Sequence, residues 1–375
     1  MRRKVCLVTS LHNVKDERVF EKESTSLAKK YEVYLVAPNT ETRDENGVHI
    51  IGVDFPDVNH RFKRWFKLGK LVPILKGIDA EVYHFQDPEL MSIGLKMKKY
   101  GKKIIFDSHE DVPAYLQSVS YIPVSLRSWV SKYWALHEKR ILKKYDALVS
   151  VTPFIVNRLI KINPNTYQIT NYPKFNAQNV ERKWERKVIF AGLIGRNWNL
   201  DKVIPCLPQN DVTLVLCGRF YDSGKYLNYL KSLPGWEKVD YRGCVSQKQV
   251  KEFYGECSAG LAIESYDDAN VGYKEGSLGN TKRLEYMSVG IPLITSASNV
   301  WKNVVETYKC GVCVEDPKNE KQIADAIAFV VNNNENAKLM GDRAQEAVAN
   351  EYNWGTQEIE LFKMYEKLLG ELNDC

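Results

Sequence analysis

One glutamate, Glu285, lies in the middle of NTKRLEYMSVGIPLI, residues 280–294. Asn280 or Thr281 can cap a short helix at this point, and the glycine and proline that follow can end it before a buried apolar strand. A carboxylate on such a helix can accept hydrogen bonds from two neighbouring hydroxyls of a ligand, and each charge-assisted bond contributes roughly 1.5–3 kcal/mol. The alternative is a surface glutamate that pairs with Lys282 or Arg283.

Two further residues with suitable chemistry lie at the ends of apolar runs. Arg196 follows such a run in AGLIGRNWNLDK. A planar guanidinium there can bind phosphate oxygens in pairs and stabilise developing negative charge. His109 follows another run in FDSHEDVP, where Glu110 and Asp111 would raise its pKa. The alternatives are a solvated loop arginine and a structural histidine.

The elements that position these residues follow from hydrophobic periodicity. In the first half, the β-rich runs RKVCLVTS, YEVYLVAP, EVYHFQ, KKIIFDS and DALVSVT alternate with helical segments such as PELMSIGLKMKKY. Residues 171–186 are polar and carry no apolar period. The alternation then restarts with KVIFAGL, VTLVLCG, KVDYRG, AGLAIES, IPLIT and GVCVED. Alternation with long crossovers predicts parallel strands with helices on both faces.

The sequence therefore predicts an α/β protein with two doubly wound, Rossmann-like domains facing each other across a cleft. The chain length of 375 residues suits two domains. We expect a first domain over residues 1–172, a linker over 173–186 and a second domain over 187–352. A C-terminal helix over 353–375 is expected to pack back on the first domain. Since open sheets of this kind bind ligands at the carboxyl ends of their strands, we expect the site in the cleft.

Several segments resemble one enzyme family when taken together. TKRLEYMSVGIPLI resembles the lysine, Glu-Tyr-Met, glycine and proline motif of glycosyltransferase family 4. DERVFEKESTSLAKKYEVYLVAP, VYHFQDPEL, FDSHEDVP, ITNYP and EYNWGTQEIELFKMYEKLL resemble its other segments in the same order. The resemblance implies the GT-B fold, with an acceptor-binding first domain and a second domain that binds the nucleotide sugar. It also implies a retaining transfer of a hexose or related sugar.

The resemblance assigns roles to three catalytic candidates. The family's matching glutamate holds the nucleotide ribose, which here is the role of Glu285. An arginine at the position of Arg196 binds the diphosphate leaving group, together with a lysine for which Lys202 is the nearest match, one residue later than usual. The family's histidine at the position of His109 orients the transferred sugar.

The sequence departs from the family at one position. A second glutamate usually stands eight residues before the first and contacts the sugar, whereas this chain has Ser277. Glu275 could stand in for it. Otherwise the sugar is bound by backbone amides from Gly276 to Leu278, or by Asn280. Amides at the start of a helix also favour a diphosphate, because the positive end of the helix dipole lies there.

The expected contacts to donor and acceptor follow from these matches. The base should lie against the loops after VTLVLCG and KVDYRG. The donor contacts are predicted to be Arg196, Lys202, Gly218, Arg242, Gly243, Val245, Ser277, Leu278, Asn280, Thr281, Lys282 and Glu285. The acceptor side is predicted to include Asp16, Arg18, Asp87, Glu110 and Asp111, for which solvated loop charges are the alternative.

No metal or other cofactor is expected. The sequence lacks an Asp-x-Asp flanked by apolar residues, the divalent-metal clamp of the other main glycosyltransferase fold, so we expect a metal-independent reaction. Of eight cysteines, Cys310 and Cys313 form a CxxC, but no second pair stands at metal-site spacing. Their alternating apolar surroundings favour strand residues over a metal or redox pair.

Composition limits the partners. A net charge of +6 is a mild basic excess and does not indicate nucleic acid. No apolar run approaches 18 residues, and the apolar stretch after the basic start is too short for a signal peptide, so a cytoplasmic protein is expected. Residues 60–76 carry six Lys/Arg and no acid. They predict either a basic amphipathic segment on the cytoplasmic face of an anionic membrane or a domain helix with a solvated basic face.

The expected function is transfer of a sugar from a UDP- or GDP-sugar to a glycan or lipid-linked acceptor, in surface polysaccharide synthesis. The membrane interpretation of residues 60–76 favours the lipid-linked acceptor. One alternative is an epimerase acting on the nucleotide sugar on the same scaffold, which would need additional acid/base carboxylates. The other is a non-catalytic nucleotide-sugar-binding protein, suggested by Ser277. The sugar, base, linkage and oligomeric state do not follow from the sequence.

Overall fold

The computed structural model describes residues 2–56, 64, 67–119, 121–175, 182–222, 224–267 and 273–371. The chain forms two compact units. The first comprises Met1–Asn171 together with Trp354–Cys375, and the second comprises Tyr172–Asn353. Each unit has its own sheet and its own hydrophobic core.

The described part of the first unit has a sheet of eight strands in the order β3-β4-β2-β1-β5-β6-β7-β8. All neighbours run parallel except β3 and β4, which are antiparallel. The strands are β1 Lys4–Val8, β2 Glu32–Pro38, β3 Arg43–Glu45, β4 Val48–Val53, β5 Val82–Phe85, β6 Lys103–Ser108, β7 Ala147–Ser150 and β8 Thr166–Gln168.

Helices cover both faces of this sheet. They are α1 Glu17–Ser24 (continued by the turn Thr25–Leu27), α2 Leu71–Ile78, α3 Met91–Lys99, α4 Val112–Ser118, α5 Val124–Leu142 and α6 Pro153–Leu159. The central strands are mostly apolar and, apart from Lys4, buried, as expected for parallel strands covered on both faces. One core contains Leu71, Met97 and Leu142, and the other contains Val19 and Phe20 of α1.

The second unit contains a fully parallel sheet of six strands, in the order β11-β10-β9-β12-β13-β14, within its described residues. The strands are β9 Glu185–Ala191, β10 Thr213–Cys217, β11 Val239–Gly243, β12 Cys257–Ala262, β13 Leu293–Ser296 and β14 Gly311–Val314. The helices are α7 Leu200–Val203, α8 Lys225–Lys231, α9 Gln247–Glu256, α10 Thr281–Ser288, α11 Asn299–Tyr308, α12 Glu320–Val331 and α13 Asn334–Asn350.

The last helix, α14 (Trp354–Leu369), belongs to the first unit. Leu361, Met364 and Tyr365 are buried in the core beside α1. The indole Nε1 of Trp354 donates to Ser26 Oγ at 2.8 Å. The first unit is therefore built from two separate stretches of the chain.

The structure shifts two predicted domain boundaries. Tyr172, predicted to end the first domain, is buried in the second unit, where its ring meets the edge of Tyr352 at 5.7 Å between centroids. Strand β9 begins at Glu185, inside the predicted linker 173–186, because its backbone pairs with β12 at Cys257. Backbone pairing requires no apolar side chain, so periodicity did not include these polar residues. Residues 176–181 of the predicted linker lie outside the described residues.

The basic segment 60–76 is described only at position 64 and from position 67 onward. Leu68, Leu71 and Leu75 are buried in the core of the first unit. Arg64 is buried as well and donates to Glu89 Oε1 at 2.7 Å. These leucines cannot face a membrane, so the described part of the segment agrees with the domain-helix alternative.

Within the described residues, no helix has both the length and the apolar character needed to cross a bilayer.

The CxxC lies on β14 and the residue before it, as its alternating pattern predicts. Cys310 is buried, and Cys313 is half-buried and pairs in register with Thr295 of β13. Burial raises the pKa of both thiols. A raised pKa disfavours the thiolate that metal binding and redox exchange need.

Candidate functional site

A cavity of about 790 Å³ opens in the second unit, where β9 and β12 end and α10 begins. The carboxyl ends of neighbouring parallel strands meet at this edge, which is where open α/β sheets bind ligands. The residues lining it are Ala191, Gly192, Leu193, Ile194, Gly195, Arg196, Asn197, Trp198, Tyr221, Asp222, Tyr226, Glu264, Asn280, Thr281, Lys282 and Glu285.

Glu285 reaches this cavity from α10. Asn280 caps the helix, since its Oδ1 accepts from the backbone N–H of Lys282 at 3.2 Å. Glu285 Oε1 accepts from Thr281 Oγ1 at 3.0 Å, and Tyr254 OH lies 3.5 Å from Oε2. The alternative of a surface ion pair with an adjacent cation is wrong, because Lys282 and Arg283 contact other groups.

Lys282 is buried beneath the cavity. Its Nζ donates to the carbonyl oxygen of Ala191 and lies 3.6 Å from the ring centroid of Phe190 and 4.7 Å from that of Trp198. Burial lowers the pKa of Lys282 to about 7. A bound anion would favour the charged amine, so this lysine is suited to respond to a phosphate group.

Arg283 lies on the other side of α10 and is wholly internal. Its Nη2 contacts Glu264 Oε2 at 3.1 Å and donates to the Ala262 carbonyl at 3.0 Å, while its Nε donates to Thr295 Oγ1 at 2.8 Å. Glu264 lines the cavity just after β12, in AGLAIES, but was not predicted as a site residue. Its place at a strand's carboxyl end was the signal that could have found it.

Arg196 lies in the turn that follows β9 and lines the cavity. Its guanidinium stacks over the rings of Tyr226 at 4.7 Å and Tyr229 at 5.3 Å. Among the described residues, no carboxylate lies within ion-pair distance of Arg196. Lys202, predicted to act with it, instead contacts Glu320 Oε1 at 3.3 Å on α12 and does not line the cavity.

Two glycines allow close approach of the strand ends. Gly192 has φ +135°, and a Cβ there would lie 2.5 Å from Lys282 Nζ. Gly218 has φ +133°, and a Cβ there would lie 1.8 Å from the Gly192 carbonyl oxygen. The sequence prediction included Gly218 but missed Gly192.

A smaller cavity of about 270 Å³ shares residues with the first. Val245, a predicted base contact, lines it, and so does Gly218, which was predicted as a donor contact only. The other lining residues are Gly192, Leu193, Cys217, Arg219, Cys244 and Val250. Arg242 and Gly243 do not line it. The Arg242 guanidinium pairs with Asp240 at 2.8 Å and with Glu256 at 3.1 Å. The Gly243 carbonyl accepts from the Gly218 N–H at 2.7 Å.

Ser277, where the sequence departs from the family motif, lies in a segment held by internal hydrogen bonds. Ser277 is buried, its Oγ accepts from the Gly279 N–H at 2.9 Å, and its carbonyl accepts from Trp301 Nε1 at 2.9 Å. Glu275 accepts from Asn299 Nδ2 at 2.8 Å. Neither they nor Leu278 line the cavity, so among the described residues this loop offers it no carboxylate in place of the missing one.

In the first unit, His109 is held by a chain of buried hydrogen bonds. Gln86 Nε2 donates to Glu23 Oε2 at 2.9 Å, which turns the Gln86 oxygen toward His109 Nε2 at 2.8 Å. His109 therefore donates from Nε2. Burial lowers its pKa, against the raising effect of Asp107. The prediction that Glu110 and Asp111 would raise the His109 pKa is wrong.

The predicted acceptor contacts divide into buried and surface groups. Arg18 is buried, with its guanidinium 2.6 Å from Asp107 Oδ2. Asp87 is also buried and accepts from the Ser10 N–H at 2.6 Å. Both side chains are used to hold the fold together, so they are not available to an acceptor in this conformation.

The remaining acceptor candidates lie nearer the surface. Asp16 caps α1 by accepting from the backbone N–H of Arg18 and of Val19, and contacts His12 Nδ1 at 3.1 Å. Asp111 caps α4 and pairs with Arg158 Nε at 3.1 Å. Ser108 Oγ donates to the backbone carbonyl of Glu110 at 3.0 Å, and no contact of the Glu110 side chain is described. Its acceptor role therefore stays a prediction.

One buried group has the donor types of a metal site. One potential ligand atom each from Glu23, His84 and Asp107 lies within 4.8 Å of the others. Arg18 Nη2 is 3.0 Å from Glu23 Oε1 and 2.6 Å from Asp107 Oδ2. This guanidinium already pairs with both carboxyl groups, so the trio is part of a buried ion-pair network.

The two halves of the chain match two family models in sequence. Residues 17–169 match Glycosyltransferase Family 4, and residues 171–347 match Glycosyl transferases group 1. Together these models cover most of both units. The chain belongs to the group 1, family 4 type of glycosyltransferases, which confirms the family predicted from the TKRLEYM motif.

Solved structures agree on the fold. Sucrose-phosphate synthase from Thermosynechococcus elongatus has a TM-score of 0.74 at 15% identity, covering 99% of this chain and 100% of that chain. Anabaena HepE, solved with UDP and glucose, has a TM-score of 0.69 at 11% identity, covering 97% and 100%. These likenesses confirm the predicted GT-B class of two α/β domains with parallel sheets.

A curated relative matches over a shorter range. Spore coat protein SA from Bacillus subtilis (strain 168) is 24% identical over 193 residues. This alignment spans 48% of this chain and 48% of that protein, so the chain matches about half of its length.

Proposed function

We propose that this protein is a retaining glycosyltransferase that uses a nucleoside diphosphate sugar as donor. The observation that carries the proposal is one cavity lined by the Glu285 carboxylate, the Arg196 guanidinium, the Lys282 amine and the start of α10. A carboxylate suits the two hydroxyls of a ribose, while the cations and the helix N-terminus suit a diphosphate. HepE, which shares the fold, was solved with UDP and glucose.

The donor would extend from the larger cavity into the smaller one. Glu285 would accept from the ribose hydroxyls, and Arg196 would bind the diphosphate while stacked on Tyr226. The base would then lie beside Gly218 and Val245 in the smaller cavity. UDP and GDP are both candidates.

The chemistry would rest on charge stabilisation at the leaving group. In a retaining transfer of this kind, an acceptor hydroxyl attacks the sugar on the face from which the phosphate departs. Arg196 and Lys282 would neutralise the negative charge that develops on the diphosphate, as fixed cations do in such transition states. These two cations supply what a divalent ion would otherwise supply, so we propose a metal-independent reaction. His109 keeps its proposed role of orienting the transferred sugar.

The acceptor is proposed to be a glycan or a lipid-linked sugar, with the protein acting at the cytoplasmic face of a membrane in surface polysaccharide synthesis. The described contacts of Arg18 and Asp87 remove two of the predicted acceptor residues. Asp16, Glu110 and Asp111 remain as proposed contacts.

A thermal-shift panel of UDP, GDP, ADP, CMP and dTDP tests the donor site. A ligand at a hundred times its Kd adds about 2.7 kcal/mol to the free energy of unfolding. We expect one nucleotide to stabilise the wild type, and Glu285→Ala to lose that shift. Glu346→Ala, which removes an exposed glutamate from α13, is the matched control and should keep it. If both variants keep the shift, the assignment of Glu285 to the donor site is contradicted.

One observation favours a second candidate, a non-catalytic nucleotide-sugar-binding protein. Ser277 stands in place of the family's sugar-contacting glutamate and is buried in internal hydrogen bonds. Incubation with donor and a panel of glycan acceptors separates the possibilities. Transfer with the anomeric configuration kept, read by NMR, supports the retaining enzyme. Binding without turnover supports the binding protein, and a changed sugar with donor alone supports an epimerase.

A further inference from the structure

Helix α5 (Val124–Leu142) leaves a stripe of large apolar side chains exposed on the first unit. Trp129 is 68% exposed, Tyr133 61%, Leu136 56% and Leu126 52%. Their spacing of three, four and three residues places them along one side of the helix. The rings of Trp129 and Tyr133 stack with 5.9 Å between centroids. A contiguous exposed patch of this kind marks an interaction surface.

The opposite side of α5 is fixed in the unit. Ile141 is part of the hydrophobic core. Ser131 Oγ donates to the Pro113 carbonyl at 2.7 Å. Glu138 is buried in an ion pair with Arg158. The stripe is therefore presented outward by a helix whose inner face is well anchored.

Positive charge flanks the stripe. Lys132, Lys139 and Lys143 are exposed and follow one another at steps of seven and four residues, which places them along one border. Residues 124–144 contain one acidic residue, Glu138, and it faces inward. The exposed face of α5 thus combines aromatic and aliphatic side chains with cations and carries no carboxylate of its own.

We propose that this face docks on an anionic lipid surface. Indole and phenol rings favour the headgroup region, leucine side chains enter the acyl boundary, and lysines attract anionic headgroups. The proposal rests on the proposed function in one respect, because a lipid-linked acceptor would lie in the membrane that this face touches. The leucines of residues 60–76 are buried, so the membrane contact proposed here is the exposed face of α5 and not that segment.

Flotation of the full chain with vesicles tests the apolar part of the surface. One vesicle preparation contains phosphatidylcholine alone, and the other adds phosphatidylglycerol. We expect the wild type to bind the anionic vesicles, and Trp129→Ser combined with Tyr133→Ser to weaken binding on the order of tenfold or more. The matched control combines Phe329→Ser and Leu339→Ser, two exposed apolar residues of the second unit, and should bind as the wild type does.

The charged border is tested in the same way. Lys132→Glu combined with Lys139→Glu should reduce binding to anionic vesicles by on the order of tenfold, and added salt should reduce wild-type binding. The control, Lys321→Glu combined with Lys338→Glu, makes the same change in net charge on exposed lysines of the second unit. Equal losses in both pairs would show a general charge effect and overturn the assignment to α5.

Three other results would overturn the proposal. The wild type could fail to bind anionic vesicles, or the aromatic variant could bind as well as its control. Light scattering could instead show a dimer of wild-type chains that the aromatic variant converts to a monomer, which would make a second copy the partner. Nucleotide thermal shifts on the same variants keep the two proposals apart. Vesicle binding without nucleotide stabilisation upholds the surface and contradicts the donor site.

Discussion

Lys282 and Arg283 are adjacent in sequence but make separate buried contacts. Lys282 donates to Ala191, 91 residues away, while Arg283 contacts Glu264, 19 residues away. The TKRLEYM motif predicts Glu285 as a donor contact, because the motif is a local feature of the sequence, and the Glu285 side chain lines the cavity. The same motif predicts Lys282 as a donor contact, and Lys282 lies under the cavity. The buried partners of Lys282 and Arg283 could not be predicted, because they come from distant parts of the chain.

The depressed pKa of Lys282 predicts a pH-dependent affinity for the donor nucleotide. The amine titrates at about 7 in the free protein, below its usual 10.5. Above pH 7 the free protein therefore loses this proton, and a bound diphosphate must restore it. Since the phosphate itself titrates near pH 6, its charge is nearly constant in this range. We expect affinity to fall between pH 7 and 9, approaching tenfold per unit.

Calorimetry in two buffers of different ionisation enthalpy measures the proton uptake directly. Wild type should take up a fraction of a proton on binding at pH 8, and Lys282→Met should take up none. An affinity that stays constant from pH 6.5 to 9 would contradict the assignment.

The strand ends of the second unit depend on glycine. Gly218→Ala would place a Cβ 1.8 Å from the Gly192 carbonyl oxygen, at a φ of +133°. We expect it to lower the free energy of unfolding by about 2–4 kcal/mol and to weaken nucleotide binding, because strain and overlap add. Gly224→Ala is the control, since Gly224 has φ +97° but nothing within 4 Å of its Cβ position.

The control should cost about 1–2 kcal/mol from backbone strain alone. Urea unfolding of both variants, followed by intrinsic tryptophan fluorescence, compares them. If both variants lose the same unfolding free energy, the close approach of β9 and β10 is not what requires glycine at position 218.

Periodicity predicted most of both sheets, while charged residues at strand ends were harder to interpret. Arg18 and Asp87 lie at element ends, as a substrate contact would, but their partners Asp107 and Ser10 hold them inside the fold. The partner of Arg18 is 89 residues away in sequence. A charge that faces a ligand and a charge folded inward have the same local sequence pattern, so only the tertiary structure distinguishes them.

At the scale of the whole molecule, the chain leaves the first unit, builds the second and then returns to the first through α14, which completes its core. Leu361 on α14 is fully buried, whereas Ile359 on the same helix is exposed. Leu361→Ala should lower the free energy of unfolding of the first unit by about 2–5 kcal/mol. Ile359→Ala should change it by less than about 0.5 kcal/mol. Limited proteolysis and urea unfolding would measure both. Similar effects in the two variants would contradict the packing of α14.

This return also sets the order in which the protein can be completed as it leaves the ribosome. Domains generally fold in the order of synthesis, from the N-terminus onward. Here the unit that starts first needs Trp354–Leu369, near the end of the chain, while the second unit is complete once Asn353 has emerged. The half that is translated first is therefore the last to close its core. Until then the nascent chain leaves exposed the apolar surface beside α1 that Leu361, Met364 and Tyr365 cover in the finished unit.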